Sequence, residues 1–169
     1  MKHMPLGQKE CFIKENLPLM SKIKYQGGIM MSSIWGKYDF EGKIRKILSE
    51  VQYGDPNHHF GRPYITAYQI AIEFAKRFPE AKNALPDHEM GGKGLGKQYS
   101  FSQYIAQQLS QKIKSGQITD VEGSSLGNLH LAGIQFKYGD EIIKSSMDYG
   151  DFGVSIYRLI DNKSTGNNV

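Results

Sequence analysis

Hydrophobic positions recur at helical spacing in three stretches, and a capping residue stands before each one. Asp39 precedes the first stretch, Thr66 the second and Ser100 the third. Thr66 and Ser100 each have a Gln three residues later, which is the pattern of a capping box. The apolar positions are Phe40, Ile44, Ile47, Leu48 and Val51, then Ala67, Ile70, Ala71, Phe74 and Phe78, then Phe101, Ile105, Leu109 and Ile113. The pattern predicts three helices. The second also has apolar residues on its other side, so we expect it to be central.

The apolar period changes to two after Gly116, which predicts strands. The predicted succession is a strand at Gln117–Glu122, a turn at Gly123–Gly127, a strand over Leu129–Tyr138 with a bulge at Ala132–Gly133, a hairpin loop at Gly139–Asp140, a strand at Glu141–Met147, and a last strand that buries Phe152, Val154, Ile156 and Ile160. The whole is an α+β pattern, in which three helices are followed by a C-terminal antiparallel β-meander.

The length of 169 residues fits one domain, but its first part differs from the rest. Residues 1–29 mix proline, glycine and lysine without a sustained period, so they are predicted to form an N-terminal arm on a single α+β domain at 30–169. We expect the arm to pack along this domain or on a second subunit. A lone cysteine, Cys11, excludes an internal disulfide and favours a reducing cytoplasm. The apolar runs are too short for a bilayer, so we expect no membrane association and a cytoplasmic protein.

The net charge of +4 is unevenly distributed along the chain. Residues 1–29 carry +3, residues 30–89 are neutral, residues 90–119 carry +4 without any acid, and residues 120–169 carry −3. Such asymmetry bears on partners and association. It predicts an anionic partner for the basic segment, or head-to-tail docking of subunits in a homo-oligomer.

A glycine-rich segment, Gly91–Lys97, nearly matches the phosphate-binding P-loop. Gln98 stands where that motif needs Ser or Thr for Mg²⁺, and no buried strand precedes the segment, so nucleotide hydrolysis is not predicted. Lys93 and Lys97 ahead of a helix N-terminus still suit an anion. Arg62 adds a group that clamps carboxylate or phosphate with two nitrogens. The alternative is a surface loop without a ligand.

Two further sequence patterns are weaker indications of a catalytic site. Gly123–Gly127 has the Gly-x-Ser-x-Gly form of the hydrolase nucleophile elbow, but no histidine follows His130 and no helix is predicted after the serine. His58 and His59 are the candidates for acid–base catalysis. Adjacent histidines point apart, so we predict no metal site, and loop histidines without a function are the alternative. No cofactor is predicted.

The polar face of the third helix carries no acid. Its residues are Ser102, Gln103, Gln107, Gln111 and Lys114. Glutamine pairs with adenine through two hydrogen bonds in a major groove, and lysine holds phosphates, so this face is a candidate for nucleic-acid binding. A helix-turn-helix needs a turn of about three or four residues, whereas residues 79–99 separate these helices. The alternative is a face covered by solvent or by another partner.

Three stretches, HHFGRPYITAYQIAIEFAKRFPE (58–80), SFSQYIAQQLSQKI (100–113) and DYGDFGVSIYRLID (148–161), resemble small uncharacterised bacterial proteins of mobile elements, such as those of integron gene cassettes. The resemblance covers about residues 30–169 and brings no catalytic motif. It implies a cytoplasmic accessory protein of unknown activity that is often an oligomer.

Two functional hypotheses follow. The first is a non-enzymatic binding module, a homo-oligomer whose partner is a nucleic acid or another anionic or macromolecular ligand. The alternative is an enzyme acting on a phosphorylated small molecule, in which Arg62, Lys93 and Lys97 bind phosphate. In that enzyme His58 or His59 moves protons.

Overall fold

The structure is a computed structural model, and it describes residues 33–52, 59–85, 88–91, 100–145 and 153–161. The chain divides into two units, Met1–Met31 and Ser32–Val169, and every described residue belongs to the second. The arm predicted at residues 1–29 lies outside the described residues.

The described residues form five helices and five strands. The helices are α1 (Ile34–Lys37), α2 (Phe40–Ser49), α3 (Ala67–Arg77), α4 (Pro79–Asn83) and α5 (Phe101–Lys114). The strands are β1 (Ile65–Thr66), β2 (Val121–Leu126), β3 (Gln135–Tyr138), β4 (Glu141–Lys144) and β5 (Val154–Leu159). The predicted α+β class is confirmed.

The two best-defined helix starts follow from local sequence. The Asp39 carboxylate accepts a hydrogen bond from the Gly42 N–H at 3.1 Å, which caps α2. The Thr66 hydroxyl accepts from the Gln69 N–H at 3.1 Å, while the Gln69 side chain accepts from the Thr66 N–H at 2.8 Å, which completes a capping box. Helix α3 is buried on most sides, as the pattern predicted.

Two short helices were not predicted from the sequence. Pro79 ends α3, and the same residue occupies the first turn of α4, where its missing N–H has no helical partner to lose. Helix α1 precedes α2 and buries Trp35, whose ring stacks on Phe40 at a centroid distance of 5.3 Å. Both helices have about one turn, too little for a periodic pattern to reveal.

The strands form two sheets rather than one continuous meander. The first has the order β1-β5-β2, and the second is the β3-β4 hairpin; all pairs are antiparallel. The expected turn at Gly123–Gly127 is wrong over Gly123–Leu126, because these residues continue β2 in register with β5. Leu129 and Leu131 lie outside any strand and are exposed, so the second strand begins only at Gln135.

The hairpin between β3 and β4 is confirmed. Tyr138 pairs with Glu141, so Gly139 and Asp140 form the loop between them. Gly139 has a φ of 61°, which glycine adopts at little cost because it has no side chain.

The last strand has a buried residue on each of its two faces, whereas one buried face was predicted. Tyr157, which is not in the predicted stripe, is buried, whereas Ile160, which is in it, is exposed. The Tyr157 hydroxyl lies 2.9 Å from the Ser110 hydroxyl and donates to the Ala106 carbonyl at 3.0 Å, so α5 covers this side of the sheet. Val154 is buried on the other side. Both faces of the central strand β5 are packed against other residues, so a prediction that only one face is buried is wrong.

Candidate functional site

Helix α5 has one fully buried side and one continuous exposed side. Its start is fixed by Ser100, whose hydroxyl accepts a hydrogen bond from the Gln103 N–H at 3.2 Å. Phe101, Ile105 and Leu109 are buried against the rest of the core. The exposed residues of the helix are Gln103, Gln107, Ser110, Gln111 and Lys114. We call these five residues the outer face of α5.

Ser102 does not belong to the outer face. It is 2% exposed, and its hydroxyl lies 3.0 Å from the hydroxyl of Ser100. The reason is helical geometry, because Ser102 stands three residues before Ile105 and seven before Leu109. It therefore shares the buried side, although its polarity had suggested a surface position. The remaining four predicted residues, Gln103, Gln107, Gln111 and Lys114, are exposed together.

The outer face is free of acidic groups. Residues 100–119 contain no Asp or Glu, and Lys114 is in none of the ion pairs found among the described residues. Lys112 lies beside the face, where it donates to the Gln117 side chain at 3.1 Å and sits 5.7 Å from the Trp35 ring centroid. The face thus combines amide groups with positive charge.

The first acid after α5 is Asp120, and Arg45 holds it. Two guanidinium nitrogens of Arg45 donate to the carboxylate at 2.7 and 2.9 Å. These hydrogen bonds lower the pKa of Asp120. The negative charge nearest in sequence to the C-terminal end of α5 is therefore paired with a cation.

Arg62, predicted to clamp an anion, is bonded to protein groups. Its Nε donates to the Asp161 carboxylate at 3.3 Å, and its Nη1 donates to the Ser49 and Val51 carbonyls at 2.9 and 3.1 Å. Its backbone N–H also donates to Asp161. Arg62 thus ties the segment before β1 to the residues at the end of α2 and after β5. Its role as an anion ligand stays a prediction.

A second arginine, Arg158, forms a network that sequence reasoning did not find. It is bonded to the Glu122 carboxylate, its Nη1 donates to the carbonyls of Phe60 and Arg62 at 2.8 and 3.1 Å, and its guanidinium carbon lies 4.3 Å from the Tyr64 ring centroid. Glu122 and Arg158 are directly opposite in the β2–β5 register. Only that register reveals the pair. The sequence contains the two opposite charges, but it does not show that the strands that carry them, β2 and β5, pair with each other.

Within the network, the pKa of Glu122 is lowered and the pKa of Tyr64 is raised. The hydrogen bond from Arg158 lowers the pKa of Glu122, because the positive guanidinium stabilises the carboxylate. Burial raises the pKa of Tyr64, since a phenolate is poorly solvated there, and its bond to Glu122 acts in the same direction.

Acid is expected to destabilise the fold through Glu122 and Asp120. Because their pKa values are lowered in the folded state, the unfolded chain binds more protons as the pH falls below about 4.5, and the stabilisation present at neutral pH is lost through the folded pKa values. Urea unfolding between neutral pH and about pH 3 measures this. Glu122→Gln should flatten the pH dependence by less than about 1 kcal/mol, since the pair is partly exposed.

Glu141→Gln is the matched control, because Glu141 is an exposed carboxylate that is in none of the ion pairs among the described residues. Its pH profile should follow that of the unaltered protein. An equal flattening in both variants would contradict a specific role for the Glu122–Arg158 pair.

The remaining predicted site residues are dispersed or undescribed. His59 is exposed, and its ring centroid lies 4.3 Å from that of Phe60. His58, Lys93 and Lys97 lie outside the described residues, so their predicted roles stay predictions. Among the residues that the structure describes, no group of three His, Cys, Asp or Glu side chains is placed to hold a metal ion.

A cleft of about 350 Å³ lies between the end of α2, α3 and β3. Its apolar lining is Ile47, Val51, Ile65 and Ile72, and its polar lining is Glu50, Gln69, Glu73, Lys76, Arg77 and Lys137. Arg77 is bonded to Glu50 and Glu73, and Lys76 to Glu73. These pairs neutralise much of the rim. Neither His59 nor Arg62 lines the cleft, so it does not assemble the proposed phosphate chemistry.

Comparison with protein-family models, with curated proteins and with solved structures finds no match to this chain. The resemblance to proteins of integron gene cassettes therefore stays a prediction. None of the helices in the described ranges combines the length and the apolar composition that crossing a bilayer requires.

Proposed function

We propose that the protein is a non-enzymatic binding module whose partner is an anionic macromolecule, bound through the outer face of α5. A nucleic acid is the polyanion that this face fits best. The observation that carries the proposal is the exposure of three glutamines and Lys114 on one side of an acid-free helix. Positive charge supplies affinity for phosphates, and amides supply directional hydrogen bonds to bases.

The spacing of the glutamines supports contact along a groove. Gln103, Gln107 and Gln111 recur every four residues, so their side chains succeed one another about 6 Å apart along the helix. Lys114 continues the same side by one more turn. An amide side chain both donates and accepts, so each turn of the helix offers a two-pronged contact. Lys114 would fix the helix on the phosphate backbone.

The pairing of the arginines weakens the alternative enzyme. Arg45, Arg62, Arg77 and Arg158 are each bonded to a carboxylate within the chain. The alternative enzyme needs Arg62 on a substrate phosphate, whereas Arg62 holds Asp161 and two carbonyl groups. No observation among the described residues favours that alternative, and it stays a prediction. A homo-oligomer in a reducing cytoplasm completes the proposal.

Titration of the full chain with labelled DNA tests the proposed function. Fluorescence anisotropy with a 20-base-pair duplex and with a single strand should show binding at about 50 mM salt that weakens steeply towards about 200 mM. Lys114→Glu should weaken binding about tenfold and reduce the salt slope by about one. The reason is the loss of one lysine–phosphate contact and its replacement by repulsion.

Lys137→Glu is the matched control, because it makes the same charge change at an exposed position of β3. It should weaken binding less than Lys114→Glu does. Absence of binding by the unaltered protein at low salt would exclude a nucleic-acid partner. Equal effects of the two variants would exclude the outer face of α5 as the contact surface.

A further inference from the structure

Strand β2 is the last strand of its sheet. The order is β1-β5-β2, so one side of β2 pairs with β5 and the other side faces away from the sheet. The pairing with β5 is regular over six residues, from Val121 opposite Leu159 to Leu126 opposite Val154. Within the described ranges no strand pairs with the outward side.

The hydrogen bonds to β5 show which backbone groups point outward. The Ile160 N–H donates to the Asp120 carbonyl at 2.9 Å, so Asp120 and every second residue after it bond towards β5. The N–H and C=O groups of Val121, Gly123 and Ser125 therefore point away from the sheet. In the described part of the chain they make no backbone hydrogen bond outside the strand ladders.

The outward side of β2 lacks the features that keep edge strands apart. Such strands are usually interrupted by lysine, proline or a bulge. The sequence VEGSSL has no lysine or proline, and the unbroken register with β5 has no bulge. Its one charged residue, Glu122, is paired with Arg158 of the same chain. Gly123, Ser124 and Ser125 are exposed.

We propose that β2 pairs antiparallel with β2 of a second copy of this chain, with the twofold axis at Gly123. A continuous six-stranded sheet results, in which β2 of each copy occupies the centre. The interface rests on the proposed function, which includes self-association, and it names the surface that mediates it.

A second copy fits this edge because β2 is self-complementary in that register. Gly123 faces the partner's Gly123, so no side chains collide on the axis. Glu122 faces the partner's Ser124, and Val121 faces the partner's Ser125. Like charges directly opposite destabilise strand pairs, and this register has none. The outward N–H and C=O groups of Val121, Gly123 and Ser125 in one copy lie opposite those of the other copy. All of them are therefore hydrogen-bonded in the dimer.

The dimer would place the two candidate binding helices on the same side. A β-carbon built on Gly123 lies 3.7 Å from Ile113 Cδ1, so α5 covers the side of the sheet towards which Gly123 faces. The twofold axis that relates two antiparallel strands is perpendicular to the sheet. It therefore does not exchange the two faces of the sheet. Both outer faces of α5 would therefore belong to one surface of the dimer, which could engage one nucleic acid twice.

Sedimentation of the full chain with substitutions at Ser124 tests the interface. The unaltered protein should be a dimer at about 100 μM. Ser124→Glu places a carboxylate opposite the partner's Glu122 at two positions per dimer, so the dissociation constant should rise at least about tenfold. Ser124→Lys places an opposite charge there, and the dimer should be as stable as before or more stable. Equal effects of the two substitutions would overturn the proposal, as would a monomeric unaltered protein.

Two variants at Ser125 provide a second test through the backbone. Ser125→Pro removes an outward N–H without removing a bond to β5, whereas Ser125→Ala keeps that N–H. Only the proline variant should dissociate, and circular dichroism should show that both fold. Dimers unaffected by every variant would overturn the interface. DNA binding is measured in parallel, so that a wrong interface can be told apart from a wrong proposed function. If the protein binds DNA and no variant affects the dimer, the β2 interface alone is contradicted.

Discussion

Replacing Phe74 by alanine is expected to lower the free energy of unfolding by about 3–5 kcal/mol. Phe74 is 0% exposed, and its ring lies 4.5 Å from that of Phe40 and 5.7 Å from that of Phe101, measured between centroids. These rings come from α2, α3 and α5, so the aromatic cluster joins the three long helices. Truncation removes buried apolar area and leaves a cavity that the surrounding rings fill only in part. Urea unfolding of the full chain measures the loss.

Phe60→Ala makes the same substitution at a residue that is 71% exposed. The backbone carbonyl of Phe60, which accepts from Arg158, remains in this variant. The free energy of unfolding should change by less than about 0.5 kcal/mol. A loss at Phe74 no larger than the loss at Phe60 would contradict the assignment of Phe74 to the core.

The second large effect is expected at Arg158. Arg158→Met should lower the free energy of unfolding by about 2–3 kcal/mol, because the Phe60 and Arg62 carbonyls lose a charged donor and Glu122 loses its partner. The methionine retains an apolar stem against Tyr64, which limits the loss of packing. Urea unfolding at neutral pH gives the value.

Arg77→Met is the control for Arg158→Met. Arg77 is bonded to Glu50 and Glu73 at the surface and to no backbone carbonyl among the described contacts. Its loss should cost less than about 1 kcal/mol. Similar losses in the two variants would mean that the carbonyl contacts of Arg158 add nothing beyond a surface ion pair.

The helices were predictable because their signals are local. Thr66 and Gln69 are three residues apart, and the bonds between them fix the start of α3 whatever the rest of the chain does. The same holds for Asp39 at the start of α2. The class of these elements and the starts of the long helices could therefore be inferred from capping residues and the apolar period.

The strand pairing depends on distant residues, so it was not predictable in detail. Strand β1 has two residues, and it pairs with β5 about ninety positions later. No periodic pattern exists in a two-residue strand. The extension of β2 through Gly123 and Ser124 depends on the ladder with β5, which outweighs the turn preference of Gly and Ser. The burial of Tyr157 was not predicted, because it depends on the packing of α5 over β5.

The part of the candidate site that follows from helical spacing was predictable. Gln103, Gln107, Gln111 and Lys114 fall on one side of α5 from spacing alone. Ser102 is buried because its angular position places it beside Ile105 on the core side of α5, which its polarity does not reveal. The bonding of Arg62 to Asp161 joins residues about a hundred positions apart, so only the fold could reveal it.

The central claim is that the outer face of α5 contacts a polyanion, and nuclear magnetic resonance of the glutamine side-chain amides tests it most directly. On addition of duplex DNA at low salt, the resonances of Gln107 and Gln111 should shift and return as salt is added. Gln135, exposed on β3, should not shift. Shifts confined to Gln135 and its neighbours, with α5 unchanged, would contradict the account.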